Sequence, residues 1–138
     1  MITIKKQEIV KLEDVLHLYQ AVGWTNYTHQ PEMLEQALSH SLEIYVALDG
    51  DAVVGLIRLV GDGFSSVFVQ DLIVLPTYQR QGIGSNLMKE ALADYNDAYQ
   101  VQLATEQTEK NLGFYRSLGF EILSTYNCIG MTWMNREK

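Results

Sequence analysis

The sequence predicts an α/β domain built on one mixed sheet with helices on both faces. Three observations carry that reading. Apolar runs at 43–48, 52–60 and 66–75 read as strands separated by turn signals. Stretches with helical spacing, at 12–22, from Pro31 to Leu38 and at 82–95, lie before and after them. The strand–helix–strand succession from Ser66 to Thr105 requires a parallel, right-handed crossover, whereas tight turns between the earlier strands require antiparallel pairing.

Residues 2–5 alternate as a short first strand. Leu12, Val15, Leu16, Leu18, Tyr19 and Val22 then share one helical face, and Gly23 marks the end. An aromatic-rich connection, Gly23 to His29, leads to Pro31, which suits the first position of a second helix. Asp49-Gly50 is a hairpin turn between two strands, and Gly61-Asp62-Gly63 is a second turn. Pro76 ends the third strand of this run because it has no N–H for a ladder. Ile83, Leu87, Met88, Ala91, Leu92 and Tyr95 line the best helix in the chain. Val101 to Thr105 reads as a strand. Thr108 caps a helix running to Leu118, with Gly119 just past its end. Phe120 to Thr125 and Cys128 to Met134 read as a closing hairpin. The count is about seven strands in a single domain, 1–138.

Composition narrows the function classes. No apolar run approaches the roughly 18–20 residues of a membrane-spanning helix, so no membrane role is expected. Met1-Ile2-Thr3-Ile4-Lys5-Lys6 lacks the order of a signal peptide, and Cys128 is the only cysteine, so a cytoplasmic location is expected, with no internal disulfide. His17, His29 and His40 show no ligand spacing, and no metal is expected. The net charge is −7, from 17 acidic and 10 basic residues. That field repels nucleic acid and would attract a cationic small molecule, with solubility alone as the alternative reading of the charge.

Chemistry concentrates between Asp71 and Ser85, where an apolar strand enters a glycine-bearing loop that opens a helix. The first amides of a helix lack backbone partners and carry partial positive charge, so the arrangement suits a pyrophosphate. A Rossmann fingerprint fails because Leu87 sits where its third glycine belongs, and a P-loop fails because no glycine here precedes lysine. Gln79, Gly82 and Gly84 do satisfy Gln/Arg-x-x-Gly-x-Gly/Ala.

With Val74-x-Pro76-x-Tyr78-Gln79-Arg80-Gln81-Gly82-Ile83-Gly84 and, downstream, Phe114-Tyr115-Arg116-Ser117-Leu118-Gly119-Phe120, the chain resembles the GNAT superfamily of acyl-CoA-dependent N-acyltransferases. The resemblance implies a splayed sheet and acetyl-CoA, or coenzyme A, as cosubstrate. It implies that backbone amides of Arg80, Gln81, Gly82, Ile83, Gly84 and Ser85 hold the pyrophosphate, and that Leu72, Ile73 and Val74 pair with the pantetheine arm. Leu72 N–H would be the oxyanion donor. Tyr115 matches the family's general acid, protonating the departing thiolate.

Two positions depart from the family pattern. Thr108 stands where many members carry a pantetheine-binding Asn, and Asn111, one turn later, is the candidate to replace it. Phe68 and Gln70 stand where members often place a base, and neither can act as one. Asp71 is the nearest titratable group, a candidate base with a structural role as the alternative, and simple alternation puts it on the opposite strand face from Phe68 and Gln70. Trp24 and Tyr27 would flank the acceptor side. The expected activity is transfer of an acetyl group to a small cationic primary amine in a ternary complex. A non-catalytic acyl-CoA sensor and a peptide or protein N-acetyltransferase are the alternatives, and a homodimer stays open.

Overall fold

The computed structural model describes residues 1–134. They fall into two compact units, Met1–Ala104 and Thr105–Lys138, the second described as far as residue 134. Among the described residues no helix is long and apolar enough to cross a membrane.

The first unit runs β1 (Ile2–Gln7), α1 (Leu12–Ala21), α2 (Thr25–Thr28), α3 (Pro31–Ser39), β2 (Glu43–Asp49), β3 (Ala52–Gly61), β4 (Val67–Val74), a 3₁₀ turn at Pro76–Tyr78, α4 (Ile83–Asp94) and β5 (Val101–Leu103). The sheet order is β1-β2-β3-β4-β5. The first four strands pair antiparallel, and β5 joins β4 in parallel through the α4 crossover. The mixed sheet is therefore as expected. The connection from Gly23 to His29 is more ordered than its composition suggests, because α2 forms inside it.

Helices cover both faces. Val15, Leu18 and Tyr19 of α1, Tyr27 of α2, and Leu34 and Leu38 of α3 pack on Ile44, Val46, Leu56 and Ile73. The other face belongs to α4: a Cβ placed on Gly55 would lie 3.3 Å from Leu87 Cδ1. Gly55 and Leu56 are neighbours in β3, so alternation alone sends one to each layer.

Among the described residues the sheet has five strands, not seven. In the second unit, α5 (Glu109–Ser117) is followed by a 3₁₀ turn at Leu123–Tyr126, and neither Phe120–Thr125 nor Cys128–Met134 forms a strand. The alternation is present, but Ile129, Met131 and Trp133 stand 77%, 92% and 85% exposed. A period of two supplies an apolar face; a strand also needs a ladder partner for its backbone groups, and among the described residues this segment has none. At the other end, Thr108 Oγ1 accepts from Asn111 N–H at 3.1 Å and caps α5. Gly119, at φ +99, and Phe120 donate to Arg116 and Tyr115 carbonyls and close its C-terminus.

Candidate active site

Among the described residues, the last part of β4 has no strand partner along one edge. β5 pairs only with Val67, Phe68 and Val69, so residues 70–74 have no partner in that strand. β4 and β5 thus part after three paired residues, as the family resemblance implies. Leu75 N–H donates to Val54 C=O at 2.9 Å, on the β3 side. Alternation then turns the backbone of Ile73 toward β3 and that of Leu72 and Val74 toward the open edge. Of the three residues expected to pair with an extended ligand, two face it and Ile73 does not. Ile73 is buried against α1 and α3 instead.

The chain leaves this edge through a loop held from both sides. Tyr78 Oη donates to Asp49 in the β2–β3 hairpin. Gln79 Nε2 donates to Val74 C=O at 3.1 Å. Two residues then enter the left-handed region, Arg80 at φ 67 and Gly82 at φ 79. Such a conformation costs a non-glycine residue about 1 kcal/mol or more. Gly82 precedes the first turn of α4, which has no side-chain cap. A Cβ at Gly82 would meet nothing within 4 Å. The amides of Ile83, Gly84 and Ser85 are the first three of a 12-residue helix, at its positive end and without partners inside it. A phosphate can approach there, and a side chain at 82 would stand in its way.

Beside the edge lies a buried polar cluster. The register places Asp71 opposite Arg58 and Val69 opposite Leu59, so Gln70 is an extra residue, a β-bulge. The bulge corrects the alternation expected from the sequence: Phe68 faces Val60 and Asp71 faces Arg58, two residues apart in β3, so Phe68 and Asp71 share a face. Asp71 is 2% exposed and Arg58 4%. Asp71 Oδ2 accepts from Arg58 Nε at 2.7 Å and Tyr19 Oη at 2.8 Å; Oδ1 accepts from Tyr27 Oη at 3.0 Å. Arg58 Nη1 donates to Ser41 Oγ at 3.2 Å, and Nη2 to Tyr27 Oη at 3.3 Å. Burial, then the Asp71 charge, pushes the Tyr19 and Tyr27 phenols above the ordinary tyrosine range.

This geometry gives Asp71 an anchoring role and leaves no free oxygen facing solvent to take a proton. Arg58 and Tyr19, which complete the cluster, were not singled out by sequence reasoning. The signals were there: one arginine inside the apolar run Leu56 to Val60, and two adjacent polar residues, Gln70-Asp71, inside an apolar strand. Tyr27 is buried and faces Asp71, so its ring lines little open surface. Trp24 is half-buried and packs with Tyr19 and Tyr27 at centroid distances of 6.1 and 6.2 Å.

In the second unit, Tyr115 is half-buried on α5, edge-on to Phe114 at 5.0 Å and Phe120 at 6.0 Å. Burial raises its pKa, and the neighbouring Thr105 side chain opposes the rise. Asn111 Nδ2 donates to Glu106 C=O at 3.2 Å, which fixes the side chain against the loop before α5.

Comparison with known proteins places these features in context. Residues 40–122 match the family model described as an acetyltransferase (GNAT) domain. A GNAT-family acetyltransferase from Streptococcus pneumoniae TIGR4 has 84% sequence identity, a TM-score of 0.91, and coverage of 99% of both chains. Serotonin N-acetyltransferase 2, chloroplastic, from Oryza sativa subsp. japonica is 34% identical over 95 residues, 66% of this chain and 48% of that protein. The chain spans about half the length of the curated relatives it matches. A GNAT acetyltransferase from Elizabethkingia anophelis, solved with acetyl-CoA bound, shares the fold at TM-score 0.65 and 20% identity, over 97% of this chain and 89% of that one.

Proposed function

The chain belongs to the GNAT acetyltransferase family, and on that premise we propose that it transfers an acetyl group from acetyl-CoA to a small primary amine by direct attack. The observation that carries the reading is the continuity of the open β4 edge with the loop before α4. Leu72 and Val74 offer backbone groups for an extended arm, and the amides from Arg80 to Ser85 follow with a cradle for a pyrophosphate. Both the shape of the cradle and its donor set fit coenzyme A.

Bound acetyl-CoA supplies an activated acyl carbon and a thiolate leaving group. Leu72 N–H donates to the oxygen that gains charge as the amine adds. The Tyr115 hydroxyl gives its proton to the departing sulfur, and its raised pKa keeps that proton in place at neutral pH. Asn111, in the first turn of α5, stands in for the family's pantetheine-binding Asn. The amine's own proton leaves to water, because Asp71 is closed in by its partners. The net charge of −7 draws a cationic amine inward, and Trp24 flanks its path. The lone Cys128 fits a reducing, cytoplasmic home.

The experiment is thiol release from acetyl-CoA with a panel of primary amines, beside a thermal-shift titration with coenzyme A. Stabilisation with amine-dependent release supports the reading. Stabilisation without release from any amine leaves a coenzyme-binding protein and overturns it.

A further inference from the structure

We propose that Gln70 holds the acceptor's nitrogen, its Oε1 being a fixed hydrogen-bond acceptor for an amine N–H. The inference rests on the acyl-transfer reading and provides what that reading lacks, a group beside the attacking atom.

The argument begins at Asp71. A carboxylate paired with a guanidinium has only acceptor oxygens. Tyr27 has one phenol proton, and it points at Asp71 Oδ1 over 3.0 Å. The remaining capacity of Tyr27 Oη is two lone pairs. Its other polar neighbours must therefore donate to it. Arg58 Nη2, at 3.3 Å, can do nothing else. The Gln70 side chain reaches the same oxygen at 3.4 Å, and only its NH₂ end can donate. Turned the other way, its carbonyl oxygen would face an oxygen with no proton left to give. The orientation of the amide, ordinarily ambiguous, is thus set by a chain of obligations that starts at a buried carboxylate.

Oε1 is consequently directed away from Tyr27. Gln70 is exposed, and it lies two residues before Leu72, whose amide faces the open edge. An amide oxygen takes no proton at neutral pH, so Gln70 is not a base. It accepts one N–H, which turns the nitrogen lone pair of a neutral amine toward the acyl carbon. The ligand class is an amine with at least one N–H besides the proton it must lose. Gln70 is a catalytic-site residue under this reading, and Tyr27 and Asp71 act through it as positioning residues.

The test compares the full-length parent with Gln70→Leu, Tyr27→Phe and the double variant, using acetyl-CoA and 2-phenylethylamine. Loss of one hydrogen bond should raise the amine KM of Gln70→Leu about five- to tenfold. The acetyl-CoA KM and the melting temperature should not move, since Gln70 is exposed. Tyr27→Phe frees the amide to rotate, so it should raise the amine KM by less, and the double variant should be no worse in amine KM than Gln70→Leu. An amine KM unchanged in Gln70→Leu overturns the proposal. If the parent shows no turnover with any amine of the panel, the acyl-transfer reading has failed separately, and direct titration of 2-phenylethylamine decides. Tighter binding to the parent than to Gln70→Leu upholds Gln70; equal binding overturns it.

Discussion

Arg58 Nε and Asp71 Oδ2 lie 2.7 Å apart at facing positions of β3 and β4, and both side chains are almost wholly buried. A charge buried without its partner is far costlier than a pair. Asp71→Asn or Arg58→Met should therefore destabilise the fold by about 3–5 kcal/mol. The double variant Arg58→Met, Asp71→Asn should lose less than the two singles together. Urea unfolding of all four proteins checks this.

The phenols around Asp71 give the cluster a pH signature. Burial, then the Asp71 charge, raises the pKa of Tyr19 and of Tyr27 in the folded state. A group that holds its proton more tightly when folded contributes stability that is complete below its unfolded pKa, about 10 for tyrosine, and is lost as pH rises further. Stability should fall above that pH, and Tyr19→Phe should make the fall shallower. Melting temperatures between pH 7 and 11 measure it.

Gly82→Val should weaken coenzyme A binding at least tenfold. It places a β-branched side chain at φ 79, into the open space before α4. The left-handed conformation alone should cost the free protein about 1–2 kcal/mol. The two effects separate in a thermal-shift titration, where the starting temperature reports strain and the ligand-induced rise reports the cradle. An undiminished rise would remove the loop from the site.

Tyr115→Phe should leave coenzyme A affinity near normal and slow turnover by about 10²–10⁴, the range for a lost general acid. Because burial raises the Tyr115 pKa, the alkaline loss of rate that reports its deprotonation should lie above the ordinary value of about 10. A pH–rate profile of the parent beside the variant locates that limb. Parental turnover in Tyr115→Phe would make the ring a packing element of α5.

Local signals were enough for most of the fold. Pro31, Gly50, Pro76, Thr108 and Gly119 each act through their own backbone or their nearest neighbours, and each marks a boundary the structure keeps. The loop from Gln79 to Gly82 and the helix that starts after it were legible for the same reason. Non-local pairing was not. Ile129, Met131 and Trp133 alternate as a strand would, yet nothing in their own sequence states whether a ladder partner exists. Asp71 was placed on the wrong face because alternation assumes an unbroken ladder. Its partners Tyr19 and Arg58 lie 52 and 13 residues away, beyond any local pattern.

Gln70 is supernumerary to the architecture. Val69 and Asp71 already face consecutive residues of β3, Leu59 and Arg58, and lie on the layers that strict alternation would give them with Gln70 removed. A one-codon deletion there should leave every core side chain in its layer and merely straighten the strand, reducing its local twist. In genetic terms, position 70 is dispensable for inheritance of the fold. An in-frame deletion would spare the chain from degradation while erasing both the amide and the bend beside the open edge.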